Sequence, residues 1–497
     1  MSVSLNRLLE GIANVPDGAR CDVRDLTLDS REVRAGSLFI ALRGRSVHGV
    51  KFAAEAVARG AVAVLWEPGA GVELPALPAG VFAAPIPDLQ DWVGRIADRF
   101  FKSPSAQLRI TGITGTNGKT TCAYLLAQCL DRLGSQAAYM GTIGWGRIAS
   151  LAPANLTTPD AVTLHRELAE LHAAGVRDVA MEVSSQALDQ DRVAGVRFQA
   201  AAFTNLSRDH LDYHGTMAAY GAAKARLFAA PDLKHLVVNA ADAFGRELAQ
   251  NFAARVPLTA VWIGAADPVP TRRALHATEV TLDVHGVSMQ LDGSFGRARV
   301  ATRLLGRFNA ENSLIVIACL LSLGASLDEA ARVLAECTPP PGRMEVVDPD
   351  ARDKPLAVVD YAHTPDALAK ALGALREHCE GSLWCVFGCG GDRDPGKRPL
   401  MGAIADQLAD RIIVTDDNPR SENPQAITGA ITSGIKSRAA RVIHDRGEAI
   451  GTALKEARGT DVVLIAGKGH EDYQIYGDTR RSFSDRLEAR RYLGVAA

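Results

Sequence analysis

Thr114-Gly115-Thr116-Asn117-Gly118-Lys119-Thr120-Thr121 has the residue types of a phosphate-holding loop. Its glycines let backbone N–H groups at a helix N-terminus point at phosphate oxygens, the Lys119 ammonium adds a point charge, and the Thr120 hydroxyl can reach Mg2+. The usual pattern asks for glycine five residues before Gly118, where this chain has Ile113; Gly112-x-x-Gly115-x-x-Gly118-Lys119-Thr120 holds instead. A glycine turn that binds nothing would not need the Lys-Thr pair, so the loop reads as an ATP site. Further on, Glu182 sits in the apolar run Met181-Glu182-Val183 before Ser184-Ser185. A carboxylate there is costly unless it meets a cation or hydrogen-bond donors. Mg2+ shared with Thr120 and ATP is one such partner; a helix cap or an ion pair is the other. His210 and His214 have the four-residue spacing of helical zinc ligands, without a clear third ligand nearby. Lys224, among small residues in Tyr220–Phe228, reads by spacing as a solvated surface charge.

These residues need elements to carry them. Leu108, Ile110 and Ile113 lead into the phosphate loop, and Ala123, Leu126, Ala127 and Leu130 follow at helical spacing: strand, turn, helix. Residues 1–90 read as a small α/β domain, with strands at Leu26–Leu28, Leu38–Leu42 and Ala61–Trp66, a helix near Phe52–Arg59 and a Pro/Gly-rich stretch from Pro68 to Pro87. Residues 91–338 alternate strands and helices around the loop, including strands at Val179–Val183, Ala200–Phe203 and Leu236–Val238. Such alternation predicts a mostly parallel sheet with helices on both faces and ligands at the strand C-terminal ends. Pro339-Pro340-Pro341-Gly342 marks the next boundary. In residues 339–497 the pattern restarts as a Rossmann-like domain. Its strands Leu356–Val359, Leu383–Phe387, Ile412–Val414 and Val462–Ile465 run into the tips Asp360–His363, Gly388–Asp394, Asp416–Arg420 and Gly467–Glu471. A doubly wound sheet would gather these tips on one edge. The fold class is therefore α/β, in three domains.

A chain of 497 residues suits that division, and 55 Lys+Arg against 57 Asp+Glu leave no basic excess for nucleic acid. No run of about 18 apolar residues predicts a membrane span, and the N-terminus lacks the pattern of an export signal. The expected location is the cytoplasm. The eight cysteines include no Cys-x-x-Cys pair and read as reduced thiols.

The phosphate loop, Glu182 in Met-Glu-Val-Ser-Ser, the block Thr204-Asn205-Leu206-Ser207-Arg208-Asp209-His210-Leu211-Asp212-Tyr213-His214, Lys224, and Pro341-Gly342-Arg343-Met344-Glu345 together strongly resemble the Mur ligases, in order and over essentially the whole chain. The resemblance is to the member that adds the third peptide residue of the peptidoglycan precursor. It implies an amide ligase in which a substrate carboxylate attacks ATP to give an acyl phosphate, which an amine then displaces. It reverses the reading of Lys224, whose counterpart is carbamylated and helps hold a second Mg2+, and it makes His210 a magnesium ligand. Implied metal ligands are Thr120, Glu182, His210 and Lys224 for two Mg2+ ions; the catalytic set is Lys119, Glu182, His210 and Lys224. ATP would meet Gly115, Thr116, Asn117, Gly118, Lys119, Thr120, Thr121, Asn309, Arg343 and Asp360. UDP-N-acetylmuramoyl-dipeptide would meet Leu28, Ser30, Arg45, Ser46 and Val47 at its uridine end, and Thr157, Thr158, Ser184, Gln190 and Arg192 at its muramoyl-peptide end. Read alone, Thr157-Thr158-Pro159 is a turn and Arg192 a surface charge. Gln186 and His48-Gly49 depart from the family's usual His and Asp-Gly; neither position is a phosphate or metal ligand.

Acceptor choice rests on Asp417, Asn418, Pro419 and Arg420, which resemble the motif of members that add meso-diaminopimelate. An arginine fork matches the distal carboxylate bidentately. Arg393 could grip the same amino acid, with Glu471 and Asn418 available to its ammonium and Gly467 allowing close backbone approach. Lysine would leave Arg420 unpaired, at a cost of about 10⁴ in selectivity. The plainer reading is an Asn-Pro turn with an incidental arginine. Rivals are a ligase that adds lysine, or glutamate to folate, and a nucleotide-binding switch. The last lacks an Asn-Lys-x-Asp guanine signature and has no use for a third domain with four ligand-type tips. The implied partners are small molecules only, acting on a monomer.

Overall fold

The computed structural model describes residues 2–19, 21–44, 47–264, 269, 271–283, 285–348 and 354–495. The chain divides into two compact units, one of residues 1–119, 130–238 and 242–258, the other of 120–129, 239–241 and 259–497.

The first unit opens with a parallel sheet in the order Asp25–Thr27, Ser37–Ala41, Ala61–Trp66, Phe82–Pro85. A parallel sheet is covered on both faces, and Ser37–Ala41 is accordingly buried throughout. Leu38 and Ile40 face a core with Leu5, Leu8 and Leu26, whereas Phe39 and Ala41 face Val50, Ala53 and Ala56. Strand Phe82–Pro85 lies inside the stretch expected to be only a Pro/Gly-rich connection. It is an edge strand, where proline is tolerated. Helix Leu89–Phe100 turns Leu89, Val93, Ile96, Ala97 and Phe100 into the core shared with Leu5 and Leu8.

The unit's second group of strands runs His235–Asn239, Phe198–Phe203, Arg109–Thr114, Asp178–Glu182, Ala137–Gly141, Gly144–Gly146. All neighbours are parallel except the last pair. From Arg109–Thr114 the chain winds to one side and later to the other, so the end of this strand is a topological switch point, the place where open α/β sheets bind ligands. Gly112 belongs to the packing of the strand: a Cβ there would stand 2.9 Å from the Phe198 ring.

In the second unit, Leu258–Ile263 pairs in parallel with Arg273–Asp283, and Gly286–Gly293 and Ala298–Thr302 continue as an antiparallel ribbon. This ribbon adds antiparallel strands to a run of parallel ones. The C-terminal sheet has the order Glu345–Val346, Leu356–Asp360, Val462–Ala466, Leu383–Phe387, Arg411–Val414, Ala440–Val442, parallel but for the first pair. The runs Leu356–Val359, Val462–Ala466, Leu383–Phe387 and Ile412–Val414 are apolar without interruption because both faces are covered. Leu383, Cys385, Phe387, Val462 and Leu464 pack with Leu368, Leu372 and Met401; Trp384, Val386, Val463 and Ile465 pack with Ala449, Ile450 and Leu493. The four expected tips follow the C-terminal ends of parallel strands and so share one edge.

Beneath that edge lies a buried ion pair. Arg446 Nε and Nη2 donate to Asp485 Oδ1 and Oδ2 at 2.6 and 2.7 Å, and Nη2 also donates to the carbonyl of Ala466 at 2.9 Å. Both side chains are fully buried. The pair ties helix Arg446–Glu456 and helix Asp485–Leu493 to the end of strand Val462–Ala466. Removing one partner leaves a buried charge uncompensated, so Asp485→Ala is expected to lose about 3–5 kcal/mol in urea unfolding, and Arg446→Met with Asp485→Leu to recover most of it. A loss under about 1 kcal/mol, the scale of an exposed pair, would contradict this.

Candidate active site

The phosphate loop is latched to the segment after strand Phe198–Phe203. Thr116 N–H donates to the carbonyl of Asn205 at 2.8 Å, Asn117 N–H to Asn205 Oδ1 at 3.1 Å, and Thr204 Oγ1 to the carbonyl of Asn117 at 2.6 Å. Gly115 is required by both space and conformation: its φ is +150°, and a Cβ would stand 1.9 Å from Thr204 Oγ1. Gly118 has φ 85°. Helix Lys119–Arg132 begins at the loop's lysine, with Thr120 and Thr121 in its first turn. Lys119 Nζ donates to the carbonyls of Gly115 and Thr116, each at 2.9 Å.

A second lysine reaches the same carbonyl. Lys224 Nζ donates to Gly115 O at 2.8 Å and lies 4.3 Å from the Tyr220 ring centre, with 1% of the residue exposed. The surface charge that spacing suggested is therefore an interior amine. Burial first, and the neighbouring Lys119 charge second, push its pKa down to about 6. Tyr220 fixes the arrangement by donating to Thr116 Oγ1 at 3.2 Å.

Glu182 is fully buried at the end of its strand and is held by donors. Tyr139 OH and Thr142 N–H both donate to Oε1, the latter at 2.9 Å, and Thr142 Oγ1 donates to Oε2 at 3.3 Å. Gly141 makes room for it, since a Cβ there would come within 2.2 Å of Oε1. His210 stands in the left-handed region at φ 51°, its Nε2 3.5 Å from Asp209 Oδ2. His214 Nε2 instead meets Ser185 Oγ at 3.0 Å. Among the described residues no three His, Cys, Asp or Glu side chains converge as a metal cluster.

The residues expected at the muramoyl peptide form one network. Thr157 Oγ1 meets Thr142 Oγ1 at 3.1 Å; Thr158 Oγ1 donates to the carbonyl of Glu182 at 2.9 Å and accepts from Ser184 N–H at 3.1 Å. Arg192 grips Gln190 Oε1 through Nε and Nη2 at 3.0 and 2.6 Å and donates through Nη1 to the carbonyl of Thr158 at 3.0 Å. Arg192 is thus a strut. Leu28 and Thr157 line a cavity of about 280 Å³ together with Asp160 and Glu167. Burial, then Asp160 and Glu170, push the Glu167 carboxyl up to about 8. Ser30 is buried and donates to Glu55 Oε2 at 3.4 Å, whereas Val47 is exposed. Arg45 and Ser46 lie outside the described residues.

In the second unit the tips interlock. Asp417 and Asn418 are nearly buried. Asn418 Nδ2 donates to Glu471 Oε2 at 3.0 Å, and Asn418 Oδ1 accepts from Ile475 N–H at 3.0 Å. Arg420 has φ 50°, and its Nη1 donates to the carbonyl of Gly391 at 2.7 Å. Gly391 must lack a side chain, because a Cβ would lie 1.9 Å from the carbonyl oxygen of Pro419; at Gly467, with φ +118°, it would lie 2.9 Å from Asp417 Oδ2. Arg393 is exposed on the same loop as Gly391. Asn309 is buried, its Nδ2 on the carbonyl of Leu305 at 2.7 Å. Asp360 accepts from Met344 and Ala362 N–H at 2.8 and 2.9 Å; burial raises its pKa, against the opposing charge of Arg343. Arg343 lies over the Tyr361 ring at 4.9 Å.

Sequence reasoning missed the supports: Tyr139 and Thr142 under Glu182, Tyr220 beside Lys224, and Lys468 among Asp417, Asn418 and Glu471. The last had a signal, a lysine between two glycines in a tip otherwise read as ligand-binding.

Comparison with known proteins matches three models across the chain: "Mur ligase family, catalytic domain" at residues 22–101, "Mur ligase middle domain" at 113–320, and "Mur ligase, glutamate ligase domain" at 342–469. A protein of Ectopseudomonas mendocina named UDP-N-acetylmuramoyl-L-alanyl-D-glutamate–2,6-diaminopimelate ligase is 49% identical over 95% of both chains. A solved structure of a protein of that name superposes with TM-score 0.73 at 36% identity, over 99% of each chain. Folylpolyglutamate synthase of Mycobacterium tuberculosis has a TM-score of 0.61 at 18% identity, over 82% of this chain and 96% of its own, and shares the fold alone.

The pKa of Lys224 makes a stability prediction. Unfolded, its amine titrates near 10.5; folded, near 6. Between these values the unfolded chain binds the extra proton, so the group costs the folded state increasingly as pH falls from about 10 to about 6, and no further below. Urea midpoints of the parent and Lys224→Met, in buffer free of CO2, should diverge in the variant's favour over that window. A difference independent of pH would contradict the neutral amine.

Proposed function

The chain belongs to the Mur ligase family, and we propose that it joins meso-diaminopimelate to UDP-N-acetylmuramoyl-L-alanyl-D-glutamate at the expense of ATP. The observation that carries the reading is the interior amine of Lys224 on the carbonyl of the phosphate loop, for which a nucleotide switch has no use. The D-glutamate carboxylate attacks the ATP γ-phosphate, releasing ADP and forming an acyl phosphate. The amino acid's amine then attacks the acyl carbon, and the tetrahedral intermediate collapses to amide and phosphate. Both reactants of the first step are anions, so positioning and charge neutralisation dominate. Lys119 and the loop amides hold the phosphates; Thr121 and, by family resemblance, Asn309, Arg343 and Asp360 contact the nucleotide.

We assign the muramoyl peptide to Thr157, Thr158, Ser184, Gln190 and Arg192, and the uridine end to Leu28, Ser30, Arg45, Ser46 and Val47. Residues 1–90, 91–338 and 339–497 would serve nucleotide sugar, ATP and amino acid in turn. Lys224 is unprotonated at neutral pH, the form that combines with CO2 to give a carbamate and a proton. With that carbamate, Thr120, Glu182 and His210 would make a donor set rich in hard oxygens, which suits two Mg2+ ions. The ions would supply positive charge against the γ-phosphate and the attacking carboxylate. Among the described residues no helix is long and apolar enough to cross a membrane; we assign the activity to the cytoplasm and to a monomer.

Arg420, supported by Arg393, is assigned to the distal carboxylate of diaminopimelate. Phosphate release should require ATP, the nucleotide-sugar dipeptide and diaminopimelate together, with lysine a poor acceptor. Arg420→Ala should cost about 3–5 kcal/mol in kcat/KM for diaminopimelate, narrow the preference over lysine and leave the ATP KM unchanged. An equal fractional loss for both amino acids would show that Arg420 is structural.

A further inference from the structure

Lys468 has no exposed surface, an uncommon state for a lysine, and no role in the chemistry above. Its Nζ lies 3.2 Å from each of three acceptors: Asp417 Oδ1, Asn418 Oδ1 and Glu471 Oε2. An ammonium has three N–H donors and no acceptor. All three are therefore used, and the face of Tyr473, 5.6 Å away, covers the group further. A saturated, covered ammonium has nothing left with which to touch a substrate or move a proton.

The three acceptors belong to two tips, and all three are residues assigned to the incoming amino acid. We propose that Lys468 is the positioning residue of the acceptor site, an internal cation that sets the orientation of Asn418 and Glu471 and thereby the affinity for the amino acid. The inference rests on the reading of these tips as the acceptor site. Asn418 Oδ1 accepts from both Lys468 Nζ and Ile475 N–H, so its amide has one arrangement, with Nδ2 toward Glu471. The opposite flip would set two donors against a third. The constraint continues along the chain, for Arg420 N–H donates to the carbonyl of Ile475 at 3.0 Å and Gly477 N–H to the carbonyl of Arg420 at 2.7 Å. Lys468 thus fixes the register of Asn418 and Arg420 against strand Tyr473–Tyr476. It also gives Asp417 and Glu471 a positive charge in hydrogen-bond contact with both; without it, the two carboxylates would keep only the charge of Arg446, to which neither is hydrogen-bonded.

The test uses the full chain at saturating ATP and nucleotide-sugar dipeptide, with diaminopimelate varied. Lys468→Met should raise the KM for diaminopimelate by about tenfold or more, with the KM for ATP unchanged. Lys468→Arg should not rescue it, because a planar fork cannot reproduce three converging bonds in a closed site. On a Glu471→Gln background, adding Lys468→Met should raise KM by clearly less than it does alone, since one of the stranded charges is gone. Lys468→Gln, neutral but still a donor, serves if the methionine variant does not fold. Parent KM in either neutral variant, or equal falls in the use of every substrate, would overturn the proposal. A parent enzyme that uses a different amino acid would refute the diaminopimelate assignment instead, and the same KM comparison with that amino acid would still decide the role of Lys468.

Discussion

Two lysine side chains converge on one backbone oxygen, the carbonyl of Gly115, at 2.9 and 2.8 Å. Two ammonium groups so close repel, and the one taken furthest from water yields its proton more readily. Lys224 is that one, because Tyr220 covers it and the small residues of helix Met217–Phe228 let the helix pack closely. Gly221 is part of this packing: a Cβ there would stand 3.0 Å from the Phe244 ring. The phosphate loop is thereby furnished with one cation and one amine that gives up its proton readily.

The same logic shapes the acceptor tips. Parallel strands end together, so the sheet brings residues distant in sequence to one edge, but their side chains need further restraint to act as a set. Glycines 391 and 467 allow the tips to touch, Arg446 and Asp485 brace the strand beneath them, and Lys468 supplies the charge that two neighbouring carboxylates need. Two residues assigned to chemistry, His210 and Arg420, also stand at positive φ. Such backbone states persist where surrounding contacts over-determine them, as the Ile475 carbonyl, which accepts from Arg420 N–H, and the Gly477 N–H, which donates to the Arg420 carbonyl, do for Arg420.

Much of this was legible in the sequence where a single short segment carries the signal. The phosphate loop is strand, turn and helix in one run, and the four C-terminal strands are continuous apolar runs because the sheet is covered on both faces. Strand Phe82–Pro85 was hidden by its proline and edge position, and the strands Arg273–Asp283, Gly286–Gly293 and Ala298–Thr302 by their polar, half-exposed faces. The interior lysines were opaque for a different reason. Whether a lysine among alanines faces water depends on what packs on that face, and Lys224 carries no such information in its neighbours; for Lys468 the flanking Gly467 and Gly469 were the one signal. For Lys224 family resemblance supplied a role, and the structure shows the burial that lowers its pKa. Asn418 and Glu471 were expected to await an ammonium; they already hold the protein's own.

Burial makes Lys224 a largely neutral amine, and we propose that it takes up CO2. Carbon-13 NMR of the protein equilibrated with labelled bicarbonate near neutral pH tests it directly. The prediction is a carbamate carbon resonance in the parent that disappears in Lys224→Met. An identical spectrum from both proteins, with the parent fully active, would contradict it.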